Sequence, residues 1–171
     1  MAGKPVVKPE PPEDSVSLGE ARAWLAERVE KGAECPLCHQ YAKVYRRTIT
    51  SAMARALALI WHEGGWGKRL YVHVPSVDPA RGGDVAKLEC WGLLEEERTV
   101  RTDGGRAGYW RLTRRGEDWL AGTISVPKYA RIYDGRVLSL TGPAWTVFEA
   151  LGKRFDYREL MDGKESVVRA P

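Results

Sequence analysis

The stretch between Val85 and Gly116 limits the fold of this chain more than any other. Val85 and Leu88 are apolar at helical spacing, and Gly92 follows as a residue suited to the left-handed cap of a helix near 84–91. Two strands, 93–101 and 107–112, then flank Asp103-Gly104-Gly105, a hairpin signal. Strand alternation puts Gly108, Trp110 and Leu112 on one face and Tyr109 and Arg111 on the other. Thr113 is placed to cap a further helix over 114–121, whose Trp119 and Leu120 pack back on the core.

The preceding segments supply the elements such a hairpin needs beside it. Pro5, Pro9, Pro11 and Pro12 sit among charged residues in 1–16, which reads as a disordered tail. Ser17 and Glu20 form a capping-box pattern, and Leu18, Ala21, Leu25 and Val29 repeat at helical spacing, so a first helix is expected over 18–31. Cys35-Pro36-Leu37-Cys38 makes a tight loop. A second helix fits 49–62, with Ile49, Met53, Ala56, Leu57 and Ile60 on one face and Thr48 as its cap. Leu70 to Val74 reads as a short strand closed by Pro75, and 76–83 as a short helix and turn. After the central region, 128–133 and 136–140 flank Asp134-Gly135, a strong hairpin signal. Two short helices, 144–151 and 157–161, follow, with Trp145, Phe148, Leu151 and Leu160 as apolar anchors.

The order helix, strand, helix, helix, hairpin, helix is that of a winged helix-turn-helix. The residues that carry it also resemble a known signature. Leu88-Glu89-Cys90-Trp91-Gly92-Leu93-Leu94-Glu95, then Asp103-Gly104-Gly105-Arg106, then Tyr109-Trp110-Arg111-Leu112-Thr113-Arg114-Arg115-Gly116 are similar to the pattern of MarR- and PadR-like winged-helix proteins, over about 49–121. The layout with a Cys-Pro-x-Cys loop ahead of that pattern also looks like small uncharacterised bacteriophage proteins. The resemblance implies a winged helix, and winged helices serve both DNA binding and protein docking. The expected fold is therefore α+β: a winged helix-turn-helix domain over 49–122, preceded by an N-terminal helix and Cys-x-x-Cys loop over 17–48. A C-terminal hairpin with short helices (123–163) and a flexible tail (164–171) complete it.

Charge placement decides between those uses. The chain carries 27 Lys and Arg against 23 Asp and Glu, a net charge of +4 that permits an acidic partner without demanding one. Between Pro36 and His62 there is no acidic residue, while Lys43, Arg46, Arg47 and Arg55 are present. Around the hairpin lie Arg98, Arg101, Arg106, Arg111, Arg114 and Arg115 against Asp103, with Glu95, Glu96 and Glu97 at its base. Positive charge thus grows toward the wing tip, where a phosphate backbone is met. A solvated hairpin face is the plainer explanation of the same arginines. The expected DNA contacts are Arg81, Lys87, Arg98, Arg101, Arg106 and Arg111, with Arg46 and Arg47. The helix ahead of the wing offers Ala86, Lys87 and Cys90 outward, a poor set for reading bases, so phosphate contacts dominate the expectation. The expected role is a phage or bacterial transcriptional regulator acting on double-stranded DNA; the rival is an interaction module docking on a host or viral protein. A homodimer is compatible with either.

Cys35 and Cys38 resemble half of a zinc-ribbon knuckle, but zinc takes four ligands and no second Cys-x-x-Cys exists. His39, His62, His73 and Cys90 are the remaining donors, so zinc on Cys35 and Cys38 and a pair of small packed thiols both stay open, as does a redox dithiol, for which the surrounding βαβ pattern is lacking. Three cysteines do not make a secreted disulfide scaffold. No signal-peptide pattern or membrane-length apolar run occurs, and a cytoplasmic location without membrane contact is expected. His62-Glu63 lacks the second histidine of a zinc-protease helix, and no phosphate-binding glycine loop occurs, so no enzyme is expected.

Overall fold

The computed structural model describes residues 16–78, 82–98 and 108–163. The expected tails, 1–16 but for Val16 and 164–171, lie outside those residues, as do Arg81, Arg101, Arg106 and the Asp103-Gly104-Gly105 turn. The described chain is α+β, with short helices and small antiparallel sheets, and divides into two compact units. The first comprises residues up to Arg46 together with Arg131–Leu138; the second comprises Arg47–Ala130 and the chain from Ser139 onward.

In the first unit, α1 (Leu18–Arg28) starts at the expected capping box: Ser17 accepts the Glu20 N–H, and the Glu20 carboxylate accepts the Ser17 N–H. The Ser17 hydroxyl, donating to the Glu20 carboxylate at 2.7 Å, and then the Ser17 N–H hold that carboxyl below the usual carboxylate range. The helix ends a turn earlier than the expected residue 31, because the Lys31 and Gly32 amides both close on the Arg28 carbonyl. Two short strands, β1 (Ala33–Glu34) and β2 (Tyr41–Ala42), pair antiparallel around the cysteine loop. At Gly32, φ is +93° and a side chain would collide with the Tyr41 ring, so glycine is required there.

Strand β3 (Tyr45–Thr48) carries the chain out of this loop and delays the next helix. Thr48 therefore does not cap helix α2 (Ser51–Gly64); Thr50 does, accepting the Met53 N–H at 3.3 Å. Ile49 is buried in the core, and Thr50, in extended backbone next to Ser51, holds the hydroxyl placed to cap the helix. In α2, Met53, Ala56, Leu57 and Ile60 are buried as the periodicity predicts.

The strand expected over 70–74 shortens to β4 (Val72–His73), because Val74 already opens a helical turn, α3 (Val74–Val77). Pro75 sits in its first turn, where a missing N–H costs nothing, rather than closing a strand. The helix expected near 84–91 is an α-turn, α4 (Gly82–Val85), followed by a 3-10 helix, Ala86–Trp91. Val85, Leu88 and Trp91 are all buried, and residues spaced by three stack directly above one another in a 3-10 helix. The Trp91 indole N–H donates to the Pro127 carbonyl at 2.8 Å.

Gly92 then takes the left-handed conformation (φ 69°, ψ 25°), and Leu93 and Leu94 are buried. Strands β5 (Leu94–Glu96) and β6 (Tyr109–Leu112) pair antiparallel with Leu94 opposite Leu112 and Glu95 opposite Arg111, and β4 pairs with the other edge of β6. The strands are shorter than the sequence suggests, and 99–107 lies outside the described residues. Thr113 caps α5 (Arg114–Leu120), accepting the Gly116 N–H at 3.0 Å. Strands β7 (Val126–Tyr133) and β8 (Arg136–Trp145) join through Asp134 (φ 48°) and Gly135 (φ 69°), the paired positive φ values of a tight hairpin, and β7 also pairs with β3.

Two closing helices, α6 (Val147–Leu151) and α7 (Tyr157–Met161), lie where expected within a few residues. Leu151 and Leu160 are buried anchors, but Phe148 is half exposed. Its ring stacks edge-on against Tyr157 at 4.7 Å, because the inward positions of so short a helix are taken by Val147, Ala150 and Leu151. Trp145 is half-buried beneath the Lys128 ammonium, 3.8 Å from its ring.

Candidate nucleic-acid interface

The β5–β6 pair begins one residue after the Gly92–Leu93 junction, so core packing dictates its register. Leu94 and Leu112 face inward as a cross-strand pair, which turns the next pair, Glu95 and Arg111, outward. Arg111 forms an ion pair with Glu95 and lays its guanidinium over the Tyr71 ring at 4.6 Å. The ladder continues outward to a Glu97 N–H donated to the Tyr109 carbonyl at 3.0 Å. Segment 98–107 is thus closed at its base, and its sequence holds Arg98, Arg101 and Arg106 against Asp103.

The described cations of this region are mostly matched by carboxylates. Arg98 meets Glu89 at 3.2 Å, Lys87 pairs with Asp84 one helical turn earlier, and Arg114 meets Asp118 at 3.2 Å. Arg115 donates to the Trp91 carbonyl at 3.1 Å, which satisfies the end of the 3-10 helix. Arg55, which is partly buried, lies 3.6 Å from the buried Asp78 carboxylate. A groove of about 710 Å³ beside β5 is lined by Glu89, Glu95 and Glu96 with Arg98 and Tyr71. Three carboxylates make that groove a weak phosphate site, and the sequence signal for it was the Glu95-Glu96-Glu97 run itself. Arg46 and Arg47 both lie exposed on β3. Of the residues expected to contact DNA, Arg47, Lys87, Arg98 and Arg111 belong to the second unit, Arg46 to the first, and Arg81, Arg101 and Arg106 lie outside the described residues.

Cys35 and Cys38 lie in the β1–β2 loop. The Cys35 N–H donates to the Gln40 carbonyl at 2.8 Å, and the His39 N–H donates back to the Cys35 carbonyl at 2.9 Å. The Cys38 and Leu37 backbone amides, and after them the Cys38 thiol, hold the Cys35 thiol below its ordinary value. His39 sits at φ 58° with its Nδ1 3.3 Å from the Glu34 carboxylate. The other expected donors are engaged elsewhere: His62 donates to the Leu160 carbonyl at 2.7 Å, and His73 lies 2.6 Å from the Ser76 hydroxyl. Cys90 is half-buried on the 3-10 helix, where desolvation first and the Glu89 charge second push its thiol up. Among the described residues no three His, Cys, Asp or Glu side chains gather around a common point, so Cys35 and Cys38 supply two of the four donors zinc requires.

Sequence reasoning missed a different feature of the second unit. The Gly64–Gly67 loop is anchored by Glu117, a buried carboxylate that accepts the Gly67 N–H at 2.7 Å. Beside that anchor Trp66 and Leu70 stand 53% and 58% exposed, with Trp66 edge-on to Trp61 at 5.5 Å. No helix among the described residues is long and apolar enough to cross a membrane. No known protein family, curated protein or solved structure matches this chain.

Proposed function

We propose that the second unit contains a winged helix-turn-helix that binds double-stranded DNA through its basic β5–β6 connection, in the role of a transcriptional regulator. The observation that carries the reading is the antiparallel register Leu94↔Leu112 and Glu95↔Arg111, with its ends tied by the Glu97–Tyr109 hydrogen bond. That register makes segment 98–107 the connection of a hairpin set directly behind a helical turn, and the segment carries three arginines against one aspartate. Charge matching at Arg98, Lys87 and Arg111 moves the weight of the proposal onto Arg101 and Arg106. Affinity on this reading is electrostatic, with little base discrimination.

The test is a salt series on the full chain with random-sequence duplex DNA. Each neutralised phosphate contributes a slope of about −0.9 in log K against log salt, so a slope of about −2 or steeper supports the reading, and a flat series rejects it. A second reading, a docking module for a host or viral protein, is favoured by one observation: Trp66 and Leu70 are exposed on a loop that Glu117 holds in place. A flat salt series would turn attention to that loop.

A further inference from the structure

The loop between α2 and β4 has a fixed backbone and exposed side chains. The Gly65 N–H donates to the Trp61 carbonyl at 2.9 Å, the Arg69 N–H to the Gly65 carbonyl at 3.3 Å, and the Leu70 N–H to the Gly64 carbonyl at 3.2 Å, so the loop closes on its own ends. Arg69 takes a φ of 48°, a backbone state that costs a non-glycine residue free energy and that this closure maintains. The buried Glu117 carboxylate holds the middle of the loop through the Gly67 N–H at 2.7 Å. A loop fixed in this way has little freedom left to lose on binding, which is how preorganised surfaces gain affinity.

Trp66, Lys68, Arg69 and Leu70 are all exposed on this loop. The Trp66 ring rests edge-on against Trp61, centroids 5.5 Å apart. Among the described residues neither Lys68 nor Arg69 pairs with a carboxylate, unlike Lys87, Arg98 and Arg111. Apolar side chains beside charged ones are the anatomy of a protein-binding patch, and tryptophan is a frequent anchor in such patches. Two unmatched cations call for carboxylates from the other side. A single nucleic-acid strand stacks on successive aromatic faces, but Trp66 is the one aromatic this loop exposes, and Tyr71 beyond it lies under the Arg111 guanidinium. For an anionic bilayer, Trp66 and Leu70 expose only 53% and 58% of their surface, less apolar area than the single acyl chain whose binding alone is marginal.

We propose that the 64–70 loop docks an acidic segment of another protein. Trp66 and Leu70 receive an apolar side chain of that segment, and Lys68 and Arg69 pair with its carboxylates. The proposal rests on the docking reading of this loop and is independent of the basic β5–β6 connection.

The experiment applies the full chain to an array of defined peptides, in which acidic, basic and uncharged backgrounds each carry either Phe and Leu or Ser and Gly. Binding should concentrate on the acidic peptides with Phe and Leu. Trp66→Ala should weaken it at least about tenfold without lowering the melting temperature, since the ring stands outside the core. Lys68→Glu with Arg69→Glu should move the preference to basic peptides with Phe and Leu, a reversal that a purely structural role of the loop would not produce. Trp66-dependent binding to basic or uncharged peptides in the wild-type chain would overturn the acidic partner and leave the docking reading standing. No Trp66-dependent binding to any peptide would overturn both. Trp66-dependent binding to an oligo-dT strand or to phosphatidylserine vesicles in place of peptides would assign the loop to nucleic acid or membrane and also overturn the proposal.

Discussion

The Thr113 hydroxyl donates to the Gly92 carbonyl at 2.6 Å while accepting the Gly116 N–H at 3.0 Å. One oxygen thereby ties the end of the 3-10 helix to the start of α5, across the two strands that separate them in sequence. Thr113→Ala removes both bonds and should cost about 1–2 kcal/mol, read as a lower urea midpoint with an unchanged slope. Thr113→Ser keeps the oxygen and should recover most of that loss.

Gly92 and Gly116 are needed for different reasons, and substitution should separate them. At Gly92 (φ 69°) there is space for a side chain, the nearest atom being the Arg115 Cδ at 3.7 Å, so the cost is backbone strain. Gly92→Val should destabilise by about 1–3 kcal/mol, and Gly92→Asn by clearly less, since Asn tolerates the left-handed region. At Gly116 a Cβ would overlap the backbone carbonyl of Leu93. Gly116→Ala must push α5 off the hairpin and should cost about 2 kcal/mol or more despite its small size. Thermal melts of the three variants would check the ranking.

The second capping box makes stability at α6 depend on pH. Glu149 accepts the Thr146 N–H at 2.7 Å and its hydroxyl at 2.9 Å, and these bonds, the backbone one first, hold its carboxyl below the usual range. A carboxyl depressed on folding stabilises the fold above its unfolded value, and that stabilisation is lost as pH falls through the folded value. Glu149→Gln should therefore melt below the wild type near neutral pH. The gap should narrow as pH drops beneath the ordinary glutamate range of about 4.3, and close in stronger acid. A gap that widens in acid would contradict the assignment.

Arg101→Ala with Arg106→Ala tests the proposed DNA contact where its charge is concentrated. The pair should weaken binding to all duplex sequences alike and reduce the salt slope by about two units at most. Melting temperature should stay within a degree or two of wild type, which separates lost contact from lost fold. Unchanged affinity and slope would remove the basic connection from the proposal.

Local rules written into single residues were legible without coordinates. Ser17 with Glu20, Thr113, the Asp134-Gly135 turn and the left-handed Gly92 each act within a few residues of chain, so their outcome depends on neighbours the sequence displays directly. The burial of Val85, Leu88, Leu93, Leu94, Trp119 and Leu120 was legible for a similar reason, since periodicity states which positions share a face. What long-range packing decides was not. The segment read as a helix near 84–91 ends as a 3-10 helix, Ala86–Trp91, whose Trp91 donates to Pro127, a partner 36 residues away that periodicity does not reveal. Thr48 lost the capping role to Thr50 because β3 extends the chain and the core takes Ile49. The arginines counted toward a basic wing were legible as charges, but their partners were not: Glu95 for Arg111, Glu89 for Arg98, buried Asp78 for Arg55. Net charge is a property of composition, while the field a partner meets is set by which opposite charges the fold brings within a few ångströms.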